Sequence, residues 1–209
     1  MRKIILIITL SLVFQKLSYS QNVCEVFSTH EINWYGLDFS CAKLVGTGFN
    51  DPQAIKDKFI PDWNNLVIKE AKKYNIKKFF RKKSVQYKLD IVTERNNKID
   101  FNKLVSLNSI DNTDVDEQKI SNAILEYNTG SDAGIGLVFF IEAFDKYKDR
   151  AIISVVFFDI ASKKVFIVKR LKGEAKGVGL RNYWASSIYR VMLQCYKNLG
   201  KWKKEYCIK

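Results

Sequence analysis

The chain has one histidine, His30, in 209 residues. A metal centre built on several imidazoles has no ligands here, and a serine–histidine relay would sit near a chain end, where order is poorest. Two prolines and ten glycines, against 47% apolar and 13% aromatic residues, exclude a collagen-like or low-complexity chain. This much apolar surface offsets the entropy of ordering. Four cysteines are too few for a cysteine-rich miniprotein, and none forms a C-x-x-C pair, so packing supplies most of the stability and a zinc site is not expected. No apolar run reaches the roughly twenty residues that span a bilayer. Acids are also in deficit: 35 Lys and Arg face 22 Asp and Glu, a formal charge of +13.

The start of the chain carries an address. Met1-Arg2-Lys3 precedes an apolar run from Ile4 to Phe14, followed by a polar stretch ending Ser18-Tyr19-Ser20. A cationic start, a short apolar stretch and small residues at the cleavage positions predict a signal peptide over 1–20, cut after Ser20. Gln15 and Lys16 interrupt the run too early for a membrane anchor. Cys24 follows Gln21-Asn22-Val23, without the small residues of a lipidation site. The expectation is a single domain over 21–209, secreted or periplasmic. Cleavage removes Arg2, Lys3 and Lys16 but no acid, which leaves 32 cations against 22 acids, a charge of +10.

Cys24, Cys41, Cys195 and Cys207 all lie beyond the cleavage site, and in an oxidising compartment four cysteines allow three pairings. Cys24 and Cys207 lie near the mature ends, where cross-links would tie down fraying segments. Cys195 reads equally well as a small buried apolar residue.

Hydrophobic patterning predicts an α+β fold. Ile32–Val45 reads as a strand, and Asn50 or Asp51 before Pro52 as a helix start. Pro61 marks a possible break. Trp63, Leu66, Val67, Ala71 and Tyr74 then recur at helical spacing. Lys83–Thr93 alternates Val85, Tyr87, Leu89 and Ile91 with polar residues, the pattern of a strand with one wet face. Residues 94–113 read as polar and turn-rich. Asp114–Tyr127 reads as a helix. Gly134–Tyr147, Ala151–Ile160 and Lys164–Leu171 read as an antiparallel meander because their connections are short. Tyr183–Leu199 closes the chain as a helix. The expected order is β-α-β-α-β-β-β-α, a mixed, largely antiparallel sheet with helices packed on one face.

Two segments are candidate sites. The loop around Gly173 carries Lys176, Gly177, Gly179 and Arg181 between the last strand and the last helix. Exposed amides there could cradle a phosphate, although the spacing matches neither a dinucleotide fingerprint nor a P-loop, and tight turns use glycine in the same way. The segment 69–83 holds eight cations, among them Lys72, Lys73, Lys77, Lys78, Arg81, Lys82 and Lys83, against Glu70 alone, interleaved with Tyr74, Phe79 and Phe80. Such a pattern suits an acidic partner, or equally a solvated helix end with aromatics turned inward. Export argues against nucleic acid. Lys201-Trp202-Lys203-Lys204 is a smaller version. Asp38, Glu142, Asp145 and Asp159 lie on or beside expected strands but show no catalytic spacing. Trp34, Tyr35 and Phe39 read as core. No catalytic residue, metal or cofactor is expected.

With this order of elements, and with Phe157-Phe-Asp-Ile-Ala-Ser-Lys-Lys-Val165 as strand, turn and strand, the mature chain resembles a group of small secreted bacterial proteins. In topology it also resembles the periplasmic domains typified by the penicillin-binding-protein activator lipoproteins and the TolB amino-terminal domain. The resemblance implies an envelope-associated adaptor; the missing lipidation motif departs from the activator lipoproteins and puts membrane tethering in doubt. The expected function is a non-catalytic exported domain that recognises an acidic envelope component or protein. The alternatives are a polysaccharide- or cell-wall-directed hydrolase using paired carboxylates and a structural subunit of an envelope complex.

Overall fold

The computed structural model describes residues 22–108 and 113–208; the expected signal peptide lies outside the described residues. One helical turn, α1 (Glu25–Ser28), leads into β1 (Glu31–Asp38) and β2 (Lys43–Val45). The single strand expected over 32–45 is thus two. Asp38 turns the chain by accepting the Ser40 N–H at 2.8 Å, and the Ala42 N–H closes back on the Phe39 carbonyl at 2.9 Å.

Asp51 starts a helical run as expected, its carboxylate accepting the Ala54 N–H at 2.8 Å with Pro52 in the first turn. The run is α2 (Pro52–Ala54), a π turn (Ile55–Phe59) and α3 (Ile60–Asn64), followed by α4 (Leu66–Lys69) and α5 (Ile76–Phe79). Pro61 does not break it. It sits in the first turn of α3, directly after the π turn, where a missing N–H costs little regular bonding.

Next come β3 (Ser84–Tyr87), α6 (Leu89–Asn97), a 3-10 turn (Phe101–Lys103), β4 (Val105–Ser106) and α7 (Glu117–Leu125). The strand expected over 83–93 ends at Tyr87. Leu89, Val92 and Asn96 have helical spacing, and the buried Val92 and Asn96 face inward from α6, so tertiary burial decides against the alternation. The meander is present as expected: β5 (Ile135–Asp145), β6 (Arg150–Asp159) and β7 (Val165–Glu174). The long helix α8 (Leu180–Cys207) closes the chain.

The sheet is mixed, but not largely antiparallel. β5 carries β6 antiparallel on one edge, with β7 antiparallel beyond it. On its other edge β1 pairs with residues 136–140 and β2 with 143–145, both parallel, and β3 and β4 extend these two in parallel. Helical crossovers between strands impose this direction, whereas the short turns of the meander impose the opposite one. Helices also cover both faces rather than one. α8 and the α3–α5 region pack over Trp34, Leu137, Phe139, Ile153 and Phe157. α7 and Val92 of α6 pack over Tyr35, Val138, Phe140, Val156 and Phe158. Alternate residues of β5 and β6 serve opposite cores, so β5 is buried throughout and β6 from Ala151 onward.

Gly173 brings α8 onto β7: a Cβ there would lie 2.2 Å from the Ser187 carbonyl oxygen. Cys24 and Cys207 form a disulfide, their Cα atoms 5.5 Å apart, which fastens α1 to the end of α8. Cys41 and Cys195 are free. They serve cores on opposite faces of the sheet, and Cys195 is fully buried.

Candidate functional site

In the loop before α8, Gly177 and Gly179 adopt φ of +126° and +78°, the left-handed region that favours glycine. Its cations are already engaged by neighbouring carboxylates. Arg181 Nη2 bonds Glu70 Oε1 at 2.8 Å, and the Arg181 carbonyl accepts the Trp63 Nε1–H at 2.9 Å. Lys176 pairs with Glu174 at 2.7 Å, and its backbone N–H donates to Ser186 Oγ. Of the four loop residues named from sequence, only Gly179 lines one of the three main cavities, a space of about 270 Å³ bounded also by Phe49, Lys146, Tyr183 and Trp184.

The basic segment divides by burial. Lys82 is buried, its ammonium donating to the carbonyls of Val26 at 2.7 Å and Thr29 at 2.9 Å. Burial pulls its pKa down to about 8, and its role is to hold the amino-terminal segment. Lys72, Lys73, Lys77, Lys78, Arg81 and Lys83 are exposed. Two of them lie against α8. Lys73 Nζ sits 5.0 Å from the Tyr74 ring centre and 5.6 Å from that of Tyr189, and the Arg81 guanidinium lies 5.2 Å from the Tyr196 ring while donating to the Tyr196 carbonyl.

Beyond Tyr196, α8 adds exposed Lys197, Lys201, Lys203 and Lys204. At 3.6 residues per turn, Lys203 follows Tyr196 on one face, Lys204 and Lys197 lie about a quarter turn round on the outer face, and Lys201 lies further round, away from Tyr196. Two basic segments far apart in sequence therefore adjoin, joined at Arg81 and Tyr196. None of the ion pairs among the described residues uses a cation from 72–83 or from 197–204.

A second feature, a crevice of about 660 Å³, opens at the carboxyl end of β1, where the chain leaves the sheet between α6, α7 and the turn 100–104. Asp38 lies beneath it, fully buried. Its Oδ2 accepts from Arg95 Nε at 3.1 Å and Tyr127 Oη at 2.8 Å. Arg95 also donates to Ser40 Oγ at 3.1 Å and Glu126 Oε2 at 2.5 Å. Burial, then the Asp38 charge, pushes the Tyr127 hydroxyl well above its usual range, so Tyr127 is a fixed donor at neutral pH. Cys41 lines the crevice, and burial raises its thiol too.

Sequence reasoning missed this crevice. Its charged lining comes from β2, α6, the 100–103 turn and the α7 region, and with 32–45 read as one strand nothing marked the turn at Asp38–Ser40 that opens it.

The four strand-associated carboxylates are each buried and held by their own partners. Glu142 accepts from Thr113, Ser154 and Arg170, Asp145 from the Lys148 N–H, and Asp159 caps the turn at Ser162. No family model and no curated protein matches the chain.

Proposed function

We propose that this is an exported, non-catalytic binding domain whose basic face, formed by 72–83 and the carboxyl half of α8, recognises an acidic partner. The observation that carries the reading is the convergence of two cationic segments, neither balanced by an ion pair among the described residues. Unpaired surface charge costs stability through self-repulsion, and a complementary surface recovers it. The cation–ring contacts hold Lys73 and Arg81 against the protein and lower the entropy lost on docking.

Export rests on the opening residues, and the Cys24–Cys207 bond agrees with an oxidising compartment. No helix among the described residues is long and apolar enough to cross a membrane. The resemblance to envelope adaptor domains points the same way. A hydrolase using Asp38, Glu142, Asp145 and Asp159 has less support, because each carboxylate is buried in its own network. A structural subunit has less as well: Leu107 and Tyr147 adjoin, but the exposed Ile68, Leu125, Val178 and Ile208 lie on separate elements.

The test is fluorescence anisotropy with labelled poly-glutamate as the acidic probe, at ionic strengths of about 0.02 and 0.15 M. Exposed charges are screened over about 8–10 Å at the higher value. The reading predicts saturable binding that weakens roughly tenfold or more between the two. Salt-independent binding, or none, contradicts it.

A further inference from the structure

We propose that the crevice at the end of β1 binds a small zwitterion, an amino acid or short peptide with an apolar side chain. This site is separate from the basic face and stands without the export assignment.

Its place in the fold suits a ligand. β1 lies between parallel neighbours β3 and β5 and stops at Asp38 while β5 runs on. Crevices outside the carboxyl ends of parallel strands are where open sheets bind ligands, and about 660 Å³ falls in the range of small-molecule sites. Buried amides brace the end of β1: Asn64 accepts the Leu37 N–H at 2.7 Å and Asn96 the Phe39 N–H at 2.8 Å. The wall is therefore formed before any ligand arrives.

The lining selects the chemistry. Ile91, Ile99, Leu104 and Val115 supply apolar surface for a hydrocarbon side chain. Five cations line the crevice against four acids, and the buried Asp38 below makes the signs equal. A site for a simple anion would carry an excess of cations and a site for a simple cation an excess of acids. This one offers both signs with capacity left over.

On the cationic side, Lys43 Nζ donates to the Lys103 carbonyl at 2.8 Å and pairs with no carboxylate among the described residues. Arg95 spends three of its five N–H bonds on Asp38, Glu126 and Ser40 and keeps two. On the acidic side, Glu126 and Asp114 each accept from a single cationic side chain, with side-chain exposures of 68% and 77%. The Lys119 hydrogen bond, with a smaller pull from Lys43, holds the Asp114 carboxyl below its usual range, so it stays ionised. A ligand carboxylate fits Lys43 and Arg95, an ammonium group fits Asp114 and Glu126, and the apolar side chain covers the floor.

The experiment titrates the isotope-labelled protein with three matched probes: L-leucine, 4-methylpentanoate, which lacks the ammonium group, and 3-methylbutylamine, which lacks the carboxylate. Amide shifts of Ser40–Lys43 and Lys98–Leu104 report occupancy. Leucine is expected to saturate these shifts with an affinity roughly tenfold or more above either analogue, about the effect of one charge-assisted hydrogen bond. Lys43→Gln, which removes the exposed bond to the Lys103 carbonyl and leaves the core intact, is expected to weaken leucine by a similar factor with the thermal midpoint lowered by no more than about 3 °C. Either analogue matching leucine overturns the proposal, since one charge would then suffice. Absence of a saturable shift with all three, or leucine binding unaffected by Lys43→Gln, also overturns it.

Discussion

Asn64 of α3 and Asn96 of α6 donate to the same acceptor, the Leu37 carbonyl, at 3.0 and 2.9 Å. Each also accepts a main-chain N–H of the β1 end, Leu37 for Asn64 and Phe39 for Asn96. Two side-chain amides thus replace the sheet bonding that β1 loses where it stops.

Replacing either amide strands buried main-chain groups. Asn64→Ala leaves the Leu37 N–H without its acceptor, and Asn96→Ala does the same to Phe39. Each unsatisfied buried group costs about 1–3 kcal/mol. Urea unfolding should show each variant destabilised by about 2–3 kcal/mol; a change under about 0.5 kcal/mol would show that the amides do not brace the strand.

Gly173 has no room for a side chain. An added Cβ would meet the Ser187 carbonyl oxygen at 2.2 Å, and that atom belongs to helix backbone. Gly173→Ala should lower stability by about 1–3 kcal/mol or more through displacement of α8, whereas Gly200→Ala, with open space around it, should not. Equal behaviour in thermal melts would refute the close packing.

Lys82 makes stability depend on alkaline pH. The folded chain releases this proton at about 8 and the unfolded chain at the ordinary 10.5, so between those values the unfolded state binds more protons and stability rises with pH. Tyrosines such as Tyr74, raised to about 12 by burial, act in the opposite sense above about 10. Urea melts of the protein and of Lys82→Met at about pH 7.5 and 9.5 isolate the lysine. The unmodified protein should gain on the variant at the higher pH; a constant or widening deficit would exclude the assignment.

Thiol chemistry separates the cysteines. The folded, unreduced protein should expose one reactive thiol, Cys41, reacting slowly because burial and the nearby Asp38 raise it. Unfolding should expose Cys195 as a second. Replacing Cys24 and Cys207 together by serine removes a cross-link between residues 183 apart and should cost about 2–4 kcal/mol. Four titratable thiols in the unfolded, unreduced protein would contradict the pairing.

How much of this was legible in the sequence depended on distance along the chain. The Asp51-Pro52 helix start, the meander and the closing helix rest on local signals, and all are present. The parallel pairing of β1 with β5 was not legible, because strand direction follows from crossovers that patterning does not encode. Val85, Tyr87, Leu89 and Ile91 continue a strand-like alternation across a helix boundary that only the burial of Val92 and Asn96 decides. Lys82 looked like its neighbours because its acceptors, Val26 and Thr29, lie in another segment. The crevice was hidden for the same reason: Lys43, Arg95 and Lys119 meet only once the sheet has formed.

Binding depends on where the charge lies rather than on how much there is. Two double variants of equal net charge separate the two: Lys77→Glu with Lys203→Glu on the proposed face, and Lys58→Glu with Lys164→Glu elsewhere, all four positions exposed. With labelled poly-glutamate at about 0.02 M ionic strength, the first pair is predicted to weaken binding at least roughly tenfold and the second to weaken it much less. Equal losses from the two pairs would show that net charge alone attracts the probe and would contradict the assignment of a binding face.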